Sequence, residues 1–173
     1  MAVTEDLCRP RSLGLFCFGC CTSIHASHGA VDADLTANTQ RYQRNGGEWV
    51  WLRDHSWGTT AAGLCNLVVR LGTLADAPKL AEIGCPLHPA RHGGEERRGA
   101  DCLPSYECAT KRSFSHWTPE TQRQFVAFLK EGAEDSIAYS AQMDEGGWQR
   151  KFFALLQERG SPLPPAVGPS DQR

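Results

Sequence analysis

Three thiols stand within five residues at Cys17-Phe18-Gly19-Cys20-Cys21, and five more cysteines, Cys8, Cys65, Cys85, Cys102 and Cys108, are spread over the first 108 positions. Thiolates packed this closely, with a glycine that lets the backbone wrap, suit a soft metal ion or an iron–sulfur cluster better than a hydrophobic core. Eight thiols divide into two tetrahedral four-thiolate sites, or into one four-thiolate iron–sulfur cluster with the others structural or serving a second site. Both divisions are open at the level of sequence. The adjacent side chains Cys20 and Cys21 point about 100° apart on a helix and to opposite faces on a strand, so they serve two metals or two edges of one cluster more readily than one ion. Imidazoles at His25 and His28 behind the double cysteine, and at His88 and His92 after Cys85, are candidate additional ligands for zinc or iron. Arg91 and Arg97 are candidates to offset the charge that clustered thiolates build up.

The rest of the composition narrows the setting. Lys+Arg 18 against Asp+Glu 20 gives a net charge of -2 over 173 residues, so no basic field draws nucleic acid. Apolar runs such as Leu64 to Leu71 and Phe152 to Leu156 fall short of the roughly 20 residues of a membrane span. The opening Met1-Ala2-Val3-Thr4-Glu5-Asp6-Leu7 carries two carboxylates and no secretory pattern. A cytoplasmic protein is expected, and in a reducing cytoplasm cysteines act as metal ligands or redox groups rather than as a disulfide framework. A protein partner is compatible with this.

The elements that must position the thiols follow from periodicity and caps. One domain is expected, with a cysteine-cluster region over 1–113, helical support over 114–160 and a disordered tail over 161–173. Residues 1–30 read as ligand-bearing loop with a short helical turn after the double cysteine. A short helix is predicted over Asp34–Tyr42, stopped by Asn45-Gly46-Gly47, and a strand over Trp49–Arg53. Gly63–Gly72 reads as a second strand that could pair with the first, with a helix as the alternative, and Asp76–Ile83 as a two-turn helix delivering Cys85. From 85 to 113 a long loop rich in proline and glycine calls for a metal to pin it. Three helices close the chain: Pro119–Lys130 behind Thr118, Ser136–Met143, and Trp148–Glu158 after Gly146-Gly147. The fold class expected is mainly α with a small β element, its cysteine-rich loops stabilised by metal and packed on the C-terminal helices.

Cys17-Phe18-Gly19-Cys20-Cys21, Cys65 followed by Leu67, Gly84-Cys85-Pro86-Leu87-His88-Pro89-Ala90-Arg91, and then Asp101-Cys102 and Cys108 resemble the YkgJ-type cysteine-cluster family of zinc- or iron-chelating proteins. That family opens with CxxCxxCC and later carries Cys-x-hydrophobic-aromatic-x-x-Arg. Here Cys8 stands nine positions before Cys17 rather than three, His88 takes the aromatic position, and no proline follows Arg91. The resemblance covers about residues 8 to 108 and implies metal binding. Larger relatives, such as flagellin lysine methylases, use an iron–sulfur cluster for group transfer, so an iron-dependent enzyme is one alternative function. A thiol oxidoreductase working through Cys17 and Cys20 is another, although no strand of a βαβ unit precedes them.

Overall fold

The computed structural model describes residues 5–21, 26–48, 53–54, 58–74, 77–98, 102, 106–143 and 145–166. The chain is mainly α, with one antiparallel two-stranded sheet among the described residues. It divides into two compact units, one made of Met1–Cys17 with Tyr106–Arg173 and the other of Phe18–Ser105. This partition separates Cys8, Cys17 and Cys108 from the other five cysteines.

In the Phe18–Ser105 unit, helix α1 (His28–Arg44) starts at Ser27, whose hydroxyl accepts the N–H of Ala30 at 3.4 Å. It therefore begins about one and two-thirds turns before the predicted start, because the serine satisfies the first orphan amides. Its buried face joins Val31 and Leu35 to two polar residues, Asn38 and Thr39. Gly46 and Gly47, at φ +67° and +72°, turn the chain out of the helix in the left-handed region that glycine tolerates.

Strands β1 (Val69–Leu74) and β2 (Ala77–Gly84) form a hairpin in which Val69 pairs with Gly84 and Arg70 with Ile83. Two expectations are corrected here. Asp76–Ile83 is not a helix; an eight-residue helix is marginal in isolation, and pairing with β1 satisfies its backbone instead. Pro78 is tolerated because both strands of a two-stranded sheet are edges. The Gly63–Gly72 strand begins only at Val69; before it Cys65 makes an isolated antiparallel bridge to Thr59 and Asn66–Leu67 forms a turn. Its partner is β2. The predicted strand at 49–53 falls almost wholly on residues outside those described.

The other unit is built on aromatic packing. Cys108 caps α2 (Ala109–Ser115), its Sγ accepting the N–H of Lys111 at 3.4 Å, within a stretch predicted as loop. Helix α3 (Pro119–Gly132) has Thr118 as cap and proline at its first turn, as its sequence predicts. Asp135 accepts the amides of Ile137 and Ala138 at 2.9 and 2.8 Å to start α4 (Ser136–Met143). Helix α5 (Gly147–Glu158) follows Gly146. Phe114, Trp117, Phe125, Leu129, Tyr139, Trp148 and Phe152 form the buried core between them. The Trp117 indole N–H donates to the carbonyl of Pro165 at 2.8 Å, so the segment predicted as tail is tied down as far as that proline.

Candidate metal centre

Two of the thiols sit on matching turns at the open end of the hairpin. Cys65-Asn66-Leu67-Val68 is closed by Val68 N–H donating to Cys65 O at 3.0 Å, and Cys85-Pro86-Leu87-His88 by His88 N–H donating to Cys85 O at 3.1 Å. The first turn leads into β1 and the second leaves β2, so the Val69–Gly84 register brings both thiols to one end of the sheet. Leu67 and Leu87, both wholly buried, pack with Cys85, against Tyr42 and Cys65. Asn38, also wholly buried, donates its amide to Cys65 O and Val68 O, each at 3.2 Å. Thr39 beside it accepts the N–H of Arg70 at 2.9 Å. Helix α1 thus grips the Cys65 turn through buried polar groups, which an apolar face would not do. On the second turn, His92 Nε2 lies 2.7 Å from Pro86 O, a contact that requires the proton on that nitrogen.

The electrostatics tie in three further sulfurs. Cys20 and Cys21 lie on the single 3-10 turn Gly19–Cys21, with Cys20 exposed. The Cys21 thiol is pushed well up, first by its hydrogen bond with Cys20, then by burial and by the charges of Cys20, Cys65 and Cys85. Burial pushes Cys85 up to about 12; backbone hydrogen bonding from Leu87 and the charge of Arg98 pull it back, while Cys65 and Cys102 add to the rise. Cys65 is raised by burial against hydrogen bonds from the backbone of Leu67 and Val68. Cys102 is raised by burial, with Arg98 opposing and Cys65, Glu96 and Cys20 reinforcing. Charge on Cys20, Cys65, Cys85 or Cys102 is thus felt by at least one other of these thiols. None of the eight cysteines forms a disulfide.

A cation whose charge bears on these thiols is Arg98, which no motif in the sequence singles out. Its guanidinium holds Glu96 through two bonds of 2.8 and 2.5 Å, keeping that carboxyl down at about 2, and its charge bears on Cys102 and Cys21. Arg91 is instead engaged with Glu82 at 2.6 Å, and Arg97 with Glu95 at 2.6 Å. His88 is exposed with its charge bearing on Glu96, and His28 is exposed at the first turn of α1. His25 lies outside the described residues. No family model matches this chain, and neither the curated proteins nor the solved structures contain a match to it.

Among the described residues no three His, Cys, Asp or Glu side chains already stand as a coordination shell. The donor set nevertheless fits a soft metal: five sulfurs in a part-buried setting, amides directed at two of them, and a guanidinium to offset thiolate charge. Cys8, Cys17 and Cys108 belong to the other unit. Cys17 and Cys20 therefore fall in different units. The turn carrying Cys20 is one 3-10 turn rather than the helix start that activates a redox thiol.

Proposed function

We propose that the Phe18–Ser105 unit is a thiolate metal centre holding zinc or an iron–sulfur cluster through Cys20, Cys21, Cys65, Cys85 and Cys102. The observation that carries this is the pair of matching turns that deliver Cys65 and Cys85 to one end of the hairpin. Two backbone segments separated by a whole hairpin are held at this end by Asn38, His92 and the Leu67–Leu87 contact. Thiols whose ionisation is pushed up, Cys21 first by its hydrogen bond with Cys20 and Cys85 by burial, are poor nucleophiles, which favours metal ligation over thiol exchange for this group. The resemblance to cysteine-cluster chelators points the same way. A reducing compartment such as the cytoplasm suits such a centre, and no described helix is long and apolar enough to cross a membrane.

When bound, the metal supplies a cross-link between Gly19–Cys21, the two hairpin turns and Cys102. The residues around it do the positioning. Asn38 fixes the Cys65 turn, His92 the Cys85 turn, and Arg98 supplies positive charge at the sulfurs.

Because each ligand must lose a proton, the folded thiols give binding a definite pH dependence. Raising the pH favours the thiolates, so apparent zinc affinity should climb about tenfold per pH unit for each proton displaced, or roughly ten-thousandfold for a four-thiolate site. Competition titrations between about pH 6 and 8 check this. Cys85→Ser and Cys65→Ser should each abolish tight binding at this centre. Affinity that does not change with pH, or that survives both substitutions, would refute the assignment.

A further inference from the structure

At the end of α5 the chain turns once and then runs extended. The N–H of Gly160 donates to Gln157 O at 3.0 Å and that of Ser161 to Leu156 O at 2.9 Å, with Gly160 at φ +66°. These paired bonds close a helix through a left-handed glycine and fix the direction in which the chain leaves it. Beyond them, Ser161-Pro162-Leu163-Pro164-Pro165 carries three prolines in four positions, and residues 161–166 form no helix, strand or turn. Each proline fixes its own φ at about −65° and pushes the residue before it into extended backbone. Ser161, Leu163 and Pro164 each precede a proline, so covalent geometry sets this segment as polyproline II helix.

Burial follows the three-residue turn of that helix. Ser161 and Pro164 are half-buried, whereas Pro162, Leu163, Pro165 and Ala166 are exposed. Pro162 and Pro165, one turn apart, therefore share an outward edge, and Leu163 lies on the next. At the far end the Trp117 indole N–H donates to Pro165 O at 2.8 Å. The segment is thus tethered at both ends while two of its proline rings stay outside. Arg159, exposed at the C-cap of α5, stands three residues before Pro162, as Pro162 stands three before Pro165.

We infer that Arg159–Pro165 is a docking ligand for a partner protein domain with an aromatic-lined groove of the SH3 class. Pro162 and Pro165 enter two pockets between aromatic rings, Leu163 packs beside them, and Arg159 meets acidic side chains at one end of the groove. A polyproline II segment loses little freedom on docking, and the tethers at Ser161 and Pro165 reduce that loss further. A second copy of this chain does not fit the role. Leu163, 46% exposed, is the one large hydrophobic side chain exposed among the described residues, so none of them offers an exposed aromatic ring to receive the prolines. The inference uses none of the cysteines and stands or falls independently of the hairpin centre.

The test is biolayer interferometry of the full-length chain against a panel of purified SH3 domains, spanning those that favour a basic residue before the first proline and those that favour it after the second. At least one domain should bind. Pro162→Ala/Pro165→Ala should weaken that binding at least about tenfold with helical circular dichroism unchanged, since both rings are exposed and the carbonyl held by Trp117 is kept. Arg159→Glu should weaken it about threefold or more at low ionic strength, the loss shrinking as salt is raised. Cys65→Ser/Cys85→Ser should bind as the unaltered chain does. No binding by any domain of the panel overturns the inference, as does binding by the isolated peptide 158–166 without binding by the folded chain. Dimerisation of the chain alone that is lost on the double proline substitution would make a second copy the occupant and overturn the partner assigned.

Discussion

Stripping the metal with a strong chelator at neutral pH is expected to unfold the Phe18–Ser105 unit while the helices α3 to α5 keep their structure. The reason lies in what each unit buries. Beyond Phe18 and the aliphatic contacts of Val31, Leu35, Leu64, Leu67, Val68, Val69, Ile83 and Leu87, the hairpin unit has no other buried aromatic among its described residues. On the proposed reading, its irregular segments are pinned instead by metal at the cysteines. Structural zinc contributes roughly 10 to 16 kcal/mol in finger peptides, as much as the whole stability of a typical domain, about 5 to 15 kcal/mol. Hydrogen exchange should therefore show amides of α1, β1 and β2 losing protection on chelation, while those of α3 and α5 retain it. Protection lost uniformly along the chain, or nowhere, would contradict this account.

The second large effect falls on the helical unit, where Phe125→Ala should cost about 3 to 5 kcal/mol of stability. Phe125 is wholly buried, with its ring centroid 5.2 Å from that of Trp117 at 89° and 5.2 Å from that of Phe152 at 62°. Phe114 and Phe128 complete the surround, at 6.0 and 6.3 Å. Truncation removes the edge-to-face contacts with Trp117 and Phe152 and leaves a cavity that four rigid rings cannot collapse to fill. Denaturant unfolding followed by helical circular dichroism measures the loss. Leu163→Ser, at a side chain 46% exposed, serves as the comparison and should change stability by less than about 0.5 kcal/mol. A loss below about 1 kcal/mol for Phe125→Ala would show that the aromatic cluster is not the core of this unit.

The helical unit was legible because its signals are local. Thr118-Pro119 and the apolar face of Phe125 and Leu129 announce α3, and glycines bound α5. Where the reading failed, the deciding interaction was distant or unconventional. β2 carries helix-start signals and is a strand only because β1 pairs with it. Cysteine is not a usual helix cap, so the start of α2 at Cys108 carries no local signal. The mainly α class with a small β element is the architecture found.

The candidate site was legible as a list of thiols but not as an arrangement. Which cysteines meet depends on the hairpin register and on buried polar residues such as Asn38, whose role no spacing reveals. The cation whose charge bears on the thiols is likewise not the one that local spacing suggests. Arg91 follows Cys85 closely in sequence but turns to Glu82, while Arg98 carries the positive charge at Cys102 and Cys21.

The most direct measurement is anaerobic purification of the untagged protein, followed at once by elemental analysis for iron, zinc and acid-labile sulfide and by an absorption spectrum. The account predicts at least about one equivalent of thiolate-bound metal per chain: zinc in a colourless protein, or iron with sulfide and a broad visible band. A protein that carries none, and retains none after anaerobic reconstitution with zinc or with iron and sulfide, would contradict the claim that these cysteines are metal ligands.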